Sequence, residues 1–167
     1  MANIVQDKLV DYTVFKGGKE KLGTVDVAVG GLEFRAETIK GAGMMGEANM
    51  PALGMVGKLP VKISWRTISA DLTELSAPKA HDLEFRGAQQ AFDSGLGELV
   101  VQSIRVVVRA LPTKIGLGKF GTANTTGSSS EMEAVYLKIQ IDGKTVTEID
   151  KFARICNING TDYYEQI

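Results

Sequence analysis

The residues whose types and spacing could do chemistry fall into three groups. The first is glycine-rich. Gly41-Ala42-Gly43-Met44-Met45-Gly46 and Gly116-Leu117-Gly118-Lys119-Phe120-Gly121 both match G-x-G-x-x-G. Such a loop holds a dinucleotide only where it leaves a strand and opens a helix, whose N-terminus receives the pyrophosphate. The first match runs into a segment broken by Pro51 and Gly54, and the second into a Thr/Ser/Asn stretch. Neither opens a long helix, so both read as flexible loop glycines. The second group is Cys156 and His81, each the single residue of its type. They exclude an internal disulfide and a structural zinc set. A Cys–His nucleophile pair would need a catalytic context that neither residue has. Cys156 reads as a small buried side chain, and His81 as a hydrogen-bonded residue where a helix meets a strand. The third group is the carboxylates Glu33/Glu37 and Asp82/Glu84, interleaved with Arg35 and Arg86. At strand spacing these are ion pairs rather than an acid–base couple. Nothing assembles a nucleophile, a base and an oxyanion donor, so no enzyme, metal or cofactor is expected.

The elements that would carry these residues are mostly strands. Val61, Ile63 and Trp65 alternate with Lys62, Ser64 and Arg66; Val135, Leu137, Ile139 and Ile141 alternate with Tyr136, Lys138 and Gln140. Period two describes a strand with one buried and one wet face. Asp142-Gly143 then signals a hairpin into 145–150. Further strands are expected at 12–16, 24–29, 33–39, 82–92, 98–109 and 152–158. The 98–109 strand would run about 40 Å, roughly twice the usual length. One short helix is expected at 71–77, with Asp71 as cap, Glu74 three residues on, Leu72 and Leu75 inward, and Pro78 as stop. Two long loops, about 41–57 and 116–130, complete a single domain over 1–167.

The chain has 167 residues, 44% hydrophobic and 23% charged, which is the balance of a folded globular domain. Net charge is −1, with no basic stripe for tightly held DNA. The opening MANIVQDKLV lacks the features of a signal peptide. No apolar run is long enough to span a membrane, so no membrane anchor is expected.

Apolar content sits where a monomer would be polar. The 41–57 segment carries Met44, Met45, Met50, Met55, Leu53 and Val56, and methionine suits irregular contact surfaces. Long strands with mixed outer faces need edge partners. Both features suit a subunit that completes its sheet with its own copies.

The run Glu37-Thr38-Ile39-Lys40-Gly41-Ala42-Gly43, with Gly46-Glu47, Trp65-Arg66-Thr67, Ala77-Pro78-Lys79-Ala80-His81 and Arg86-Gly87, resembles the major tail tube protein of P2-type contractile-tailed phages. Val106-Val107-Val108-Arg109-Ala110-Leu111-Pro112, Tyr136-Leu137-Lys138-Ile139, Ile141-Asp142-Gly143-Lys144, Glu148-Ile149-Asp150-Lys151 and Asn159-Gly160-Thr161-Asp162-Tyr163 continue the resemblance along nearly the whole chain. The same family includes the tubes of R-type bacteriocins. The resemblance implies a mostly β fold, a tail-tube-type β-sandwich or barrel with one short α-helix. It implies hexameric rings whose inner sheets join into a continuous barrel and stack into a tube. The implied partners are further copies, a sheath protein, and tape measure and baseplate or hub proteins. DNA would be only a transient passenger. The implied location is a virion tail or bacteriocin particle assembled in the host bacterial cytoplasm.

Four segments, 33–39, 61–66, 82–92 and 98–109, are then expected to form the inner barrel. Phe34, Val61, Ile63, Trp65, Leu83 and Phe85 would face the domain core, with Val135, Leu137 and Ile139. Glu33, Arg35, Glu37, Lys62, Ser64, Arg66, Asp82, Glu84, Arg86 and Arg105 would line the lumen. Met44, Met45, Glu47, Met50, Leu53, Met55 and Val56 would bridge to the next ring or subunit. A type VI secretion-type ring or tube protein, related in fold, is one alternative reading. A lipocalin-type ligand barrel is the alternative of another class, with its apolar face around a cavity.

Overall fold

The computed structural model describes residues 3–17, 20–22 and 25–165. Among these, twelve strands and one helix follow in order: β1 (Ile4–Lys16), β2 (Glu20–Lys21), β3 (Val25–Val29), β4 (Phe34–Ile39), β5 (Ala48–Val56), β6 (Pro60–Trp65), α1 (Ala70–Glu74), β7 (His81–Asp93), β8 (Glu98–Gly116), β9 (Ser128–Ile141), β10 (Lys144–Asp150), β11 (Ile155–Ile158) and β12 (Thr161–Asp162). Thr24, expected to open the third strand, lies outside the described residues.

All pairing is antiparallel. The main sheet runs β12-β11-β10-β9-β8-β7-β1-β2, and β9 also pairs with β6, which pairs with β3. One strand makes this branching possible. The 128–133 half of β9 pairs with β6, and its 136–141 half with β10, while β8 follows it along its length. The change of partner coincides with an irregularity: Arg109 faces Tyr136 but Ala110 faces Ala134, leaving Val135 as an extra residue. Such a bulge bends a strand and reverses which parity faces inward. Met132 and Ala134 are accordingly buried before it, Leu137 after it, and Val135 is only half-buried. An unbroken alternation from Val135 cannot register the bulge.

The bend folds the β3-β6-β9 leaf over the β10-β9-β8-β7-β1 leaf, and one core lies between them. Val61, Ile63 and Trp65 of β6 face Leu83 and Phe85 of β7, Val108 of β8 and Leu137 of β9, all buried, with Ile139 packed alongside. The far edges also meet, since the Tyr12 hydroxyl donates to the Val25 carbonyl at 2.9 Å. The helix plugs one end through Leu72 and Leu75. Its N-cap is Ser69, whose Oγ accepts from the Leu72 N–H, rather than Asp71.

Several expected boundaries shift. Residues 48–56 are a strand and not a loop: β5 pairs with β4 in a separate two-stranded ribbon. Proline at 51 is compatible with pairing because the ribbon has only two strands and β5 has a free edge. Gly54 adopts φ +68° within an irregular stretch where Phe34 faces Val56 but Ala36 faces Pro51. Phe34 therefore lies outside the core and is 40% exposed. The second long loop ends at 127 rather than 130, because Ser128 and Ser130 are buried on β9. The 152–158 strand starts only at Ile155: the Asp150 carboxylate accepts from the Phe152 and Ala153 N–H groups, each at 3.0 Å, and turns the chain.

Candidate assembly surfaces

The residues with catalytic types stay apart and have ordinary roles. His81 Nε2 donates to the Ala77 carbonyl at 3.0 Å, between α1 and β7. Cys156 is buried on β11, and burial raises its thiol pKa. No group of three or more potential metal ligands occurs among the described residues.

Three surfaces remain. The first is the solvent face of the β10-β9-β8-β7-β1 leaf. Cross-strand register stacks it in rows: Thr13, Arg86, Arg105, Gln140 and Thr145; then Phe15, Glu84, Val107, Lys138 and Glu148; then Asp82, Arg109, Tyr136 and Asp150. Arg86 and Arg105 are direct cross-strand neighbours, an arrangement that would repel. Glu84 resolves it by accepting from both Nε groups on a single carboxylate oxygen. These two guanidinium groups hold the Glu84 carboxyl below the usual range, the Arg86 hydrogen bond being the largest cause. Arg86 also lies 4.4 Å over the Phe15 ring, a favourable cation–π distance. Asp82 accepts from Arg109 Nε at 2.9 Å.

Four of the ten expected lumen residues, Asp82, Glu84, Arg86 and Arg105, thus share one face. The other six do not join them. Lys62 and Ser64 lie on the exposed side of β6, opposite Glu131 and Ser129, and Arg66 follows that strand. Glu33, Arg35 and Glu37 belong to the β4–β5 ribbon or its base. The four segments expected to be neighbours are split because β9 separates β6 from β8, and β4 pairs only with β5. Arg109, Tyr136, Lys138, Glu148 and Asp150 on the polar face were not singled out from the sequence. The alternation at Tyr136 and Lys138 was visible, but their cross-strand neighbours were not.

The second surface is a ribbon built from 4–10 of β1, 88–93 of β7 and 98–103 of β8. Val5, Phe92 and Leu99 form one exposed row, with Val101 nearby on the same face. Leu99 and Val101 are 64% and 72% exposed. Beyond Phe15 and Lys16, which pair with β2, the outer edge of β1 has no strand partner among the described residues. On the opposite face, the ribbon and β3 flank an open apolar cleft of about 420 Å³, with Leu9, Val27, Val29 and Ile104 in its lining.

The third surface is the β4–β5 hairpin. At its tip Met44 is exposed and Met45 fully so; Met50 and Leu53 are exposed on β5. Lys40 and Glu47 face each other across the tip at 3.9 Å. The hairpin is anchored at its base, where the Gly57 N–H donates to Glu33 O at 2.7 Å and Val56 packs on the core. Met55 is half-buried there.

A family model described as phage tail tube protein FII matches residues 6–167. The tail tube protein of Escherichia phage P2 is 30% identical over 169 aligned positions, covering 95% of this chain and 93% of that protein. The sheath/tube terminator of an extracellular contractile injection system (PVC), in its extended state, superposes with a TM-score of 0.53 at 15% identity, over 77% of this chain and 92% of that one. The sheath–tube complex of the same type of system gives 0.51 at 15% identity, over 77% and 87%. At that identity the likeness is one of fold.

Proposed function

The chain belongs to the phage tail tube protein FII family, a structural family and not an enzyme family, and from this premise we propose that it assembles into hexameric rings that stack into a hollow tube. The sheath surrounds that tube, and contraction drives it through the target envelope; in a phage the tube also conducts DNA. Its place is therefore in a virion or a related contractile particle. The observation that carries the ring is the free outer edge of β1 beside the exposed apolar row Val5, Phe92 and Leu99. A long unpaired edge with exposed apolar side chains invites pairing with another chain. Closing a sheet across subunits removes such edges. A subunit whose joining surfaces differ makes head-to-tail contacts, which close into rings or extend as filaments.

Within this arrangement the row containing Arg86 and Arg105 faces the lumen, and the ribbon makes the lateral joint. The Met44–Met45 hairpin reaches the adjacent ring or subunit. The polar face mixes carboxylates and cations, which suits a conduit better than a uniformly basic wall that would grip phosphates. Negative-stain microscopy of the purified chain, alone and with its sheath protein, tests the reading. Rings or tubes are expected. A monodisperse monomer at every concentration, with or without sheath, would overturn it.

A further inference from the structure

The polar face carries three arginines within two adjacent strands, yet each sits on a carboxylate. Glu84 accepts from Arg86 and Arg105, and Asp82 accepts from Arg109. Glu84 is only 3% exposed, while the two guanidinium groups it holds are about half exposed. The carboxylate is therefore inside and the cations outside. A guanidinium presents a donor fork that matches phosphate as well as carboxylate. Directly opposed arginines on a sheet face would make a phosphate clamp if the carboxylate between them were absent.

We infer that Glu84, with Asp82 beside it, masks this arginine cluster from nucleic-acid phosphates, so that the face lets a polyanion pass without holding it. The masking is positional: Glu84 takes the Nε donors of both arginines and cancels one of their two charges, and Asp82 cancels that of Arg109. In a ring the cluster would repeat in every subunit, so unmasking would create a belt of phosphate contacts. The inference rests on the lumenal placement of this face only for its consequence in the tube. The masking itself belongs to the single chain.

The test uses purified subunit and a fluorescent duplex oligonucleotide at low salt, with Glu84→Gln and Asp82→Asn. Both variants are expected to bind at least about tenfold more tightly than the parent, with steeper salt dependence, because each adds phosphate contacts. The double variant Glu84→Gln/Arg105→Gln, which restores the parent's net charge, is expected to return to parental binding. Folded variants that bind no better than the parent, or a double variant as tight as Glu84→Gln, would overturn the inference. Should Glu84→Gln not fold, the more exposed Asp82→Asn decides alone. Assembled tubes offered closed-circular DNA, which cannot thread, separate this inference from the placement. Variant subunits that bind while variant tubes do not support both; variant tubes that also bind keep the masking and overturn the lumenal placement.

Discussion

The indole N–H of Trp65 donates to the Ser130 hydroxyl at 3.1 Å, joining β6 to β9 inside the core. Both residues are buried, so the serine gives the indole a partner that an apolar side chain could not. Ser130→Ala leaves the buried N–H unsatisfied. It is expected to cost about 1–3 kcal/mol, read as a melting temperature lower by several degrees. An unchanged melting curve would show that the hydrogen bond contributes nothing net.

The same pair marks what the sequence reveals and what it conceals. Trp65 was legible as core because Val61, Ile63 and Trp65 alternate with polar residues over a short strand. Ser128 and Ser130 were not, because composition marks Ser-Ser-Ser as loop, and only the partner strand makes small polar side chains the right size beneath an indole. The Val135 bulge does mark the chain, since Met132 and Ala134 alternate with Glu131 and Glu133 and the parity switches at Val135, but an alternation read only from Val135 onward begins after the switch. The polar face was half legible. Asp82, Glu84 and Arg86 alternate along one strand, but the facing of Arg105 and Arg86 is decided by the β7–β8 turn. The methionine segment was legible as apolar side chains outside the core but not as a strand, since Pro51 and Gly54 read as breakers until β4 supplies a pairing edge.

The exposed tip of the β4–β5 hairpin is not part of the core, so altering it is expected to leave the fold intact. Met44→Asp combined with Met45→Asp places two charges on the proposed axial contact. Folded protein by circular dichroism, with no tubes by electron microscopy, is the expected outcome. Normal tube formation by the double variant would remove the hairpin tip from the assembly.

The apolar row on the ribbon makes a separable prediction. Leu99 and Val101 are largely exposed in the single chain, so lysine at either position should change its stability by no more than about 0.5 kcal/mol. Burial of the same side chains in a lateral joint would make the lysine costly there. Val101→Lys and Leu99→Lys are therefore expected to give stable monomers by sedimentation velocity that form no rings. Rings at the parental concentration would place the joint elsewhere.

Acid should act on the fold through Glu84. Its carboxyl is lowered, first by the Arg86 hydrogen bond, with the Arg105 hydrogen bond and the charges of both arginines acting in the same direction against burial. A group whose pKa is lower folded than unfolded adds stability above its unfolded pKa, and that stability is lost as pH falls through the folded value. The loss in the parent therefore begins near the ordinary carboxylate range and continues below it. Glu84→Gln has no such proton to take up. Its melting temperature is expected to start lower near neutrality and to fall less steeply than the parent's below about pH 5. Parallel acid profiles for the two proteins would mean that the Glu84 cluster is held equally well with the proton on, and that the ion pairs do not stabilise the fold.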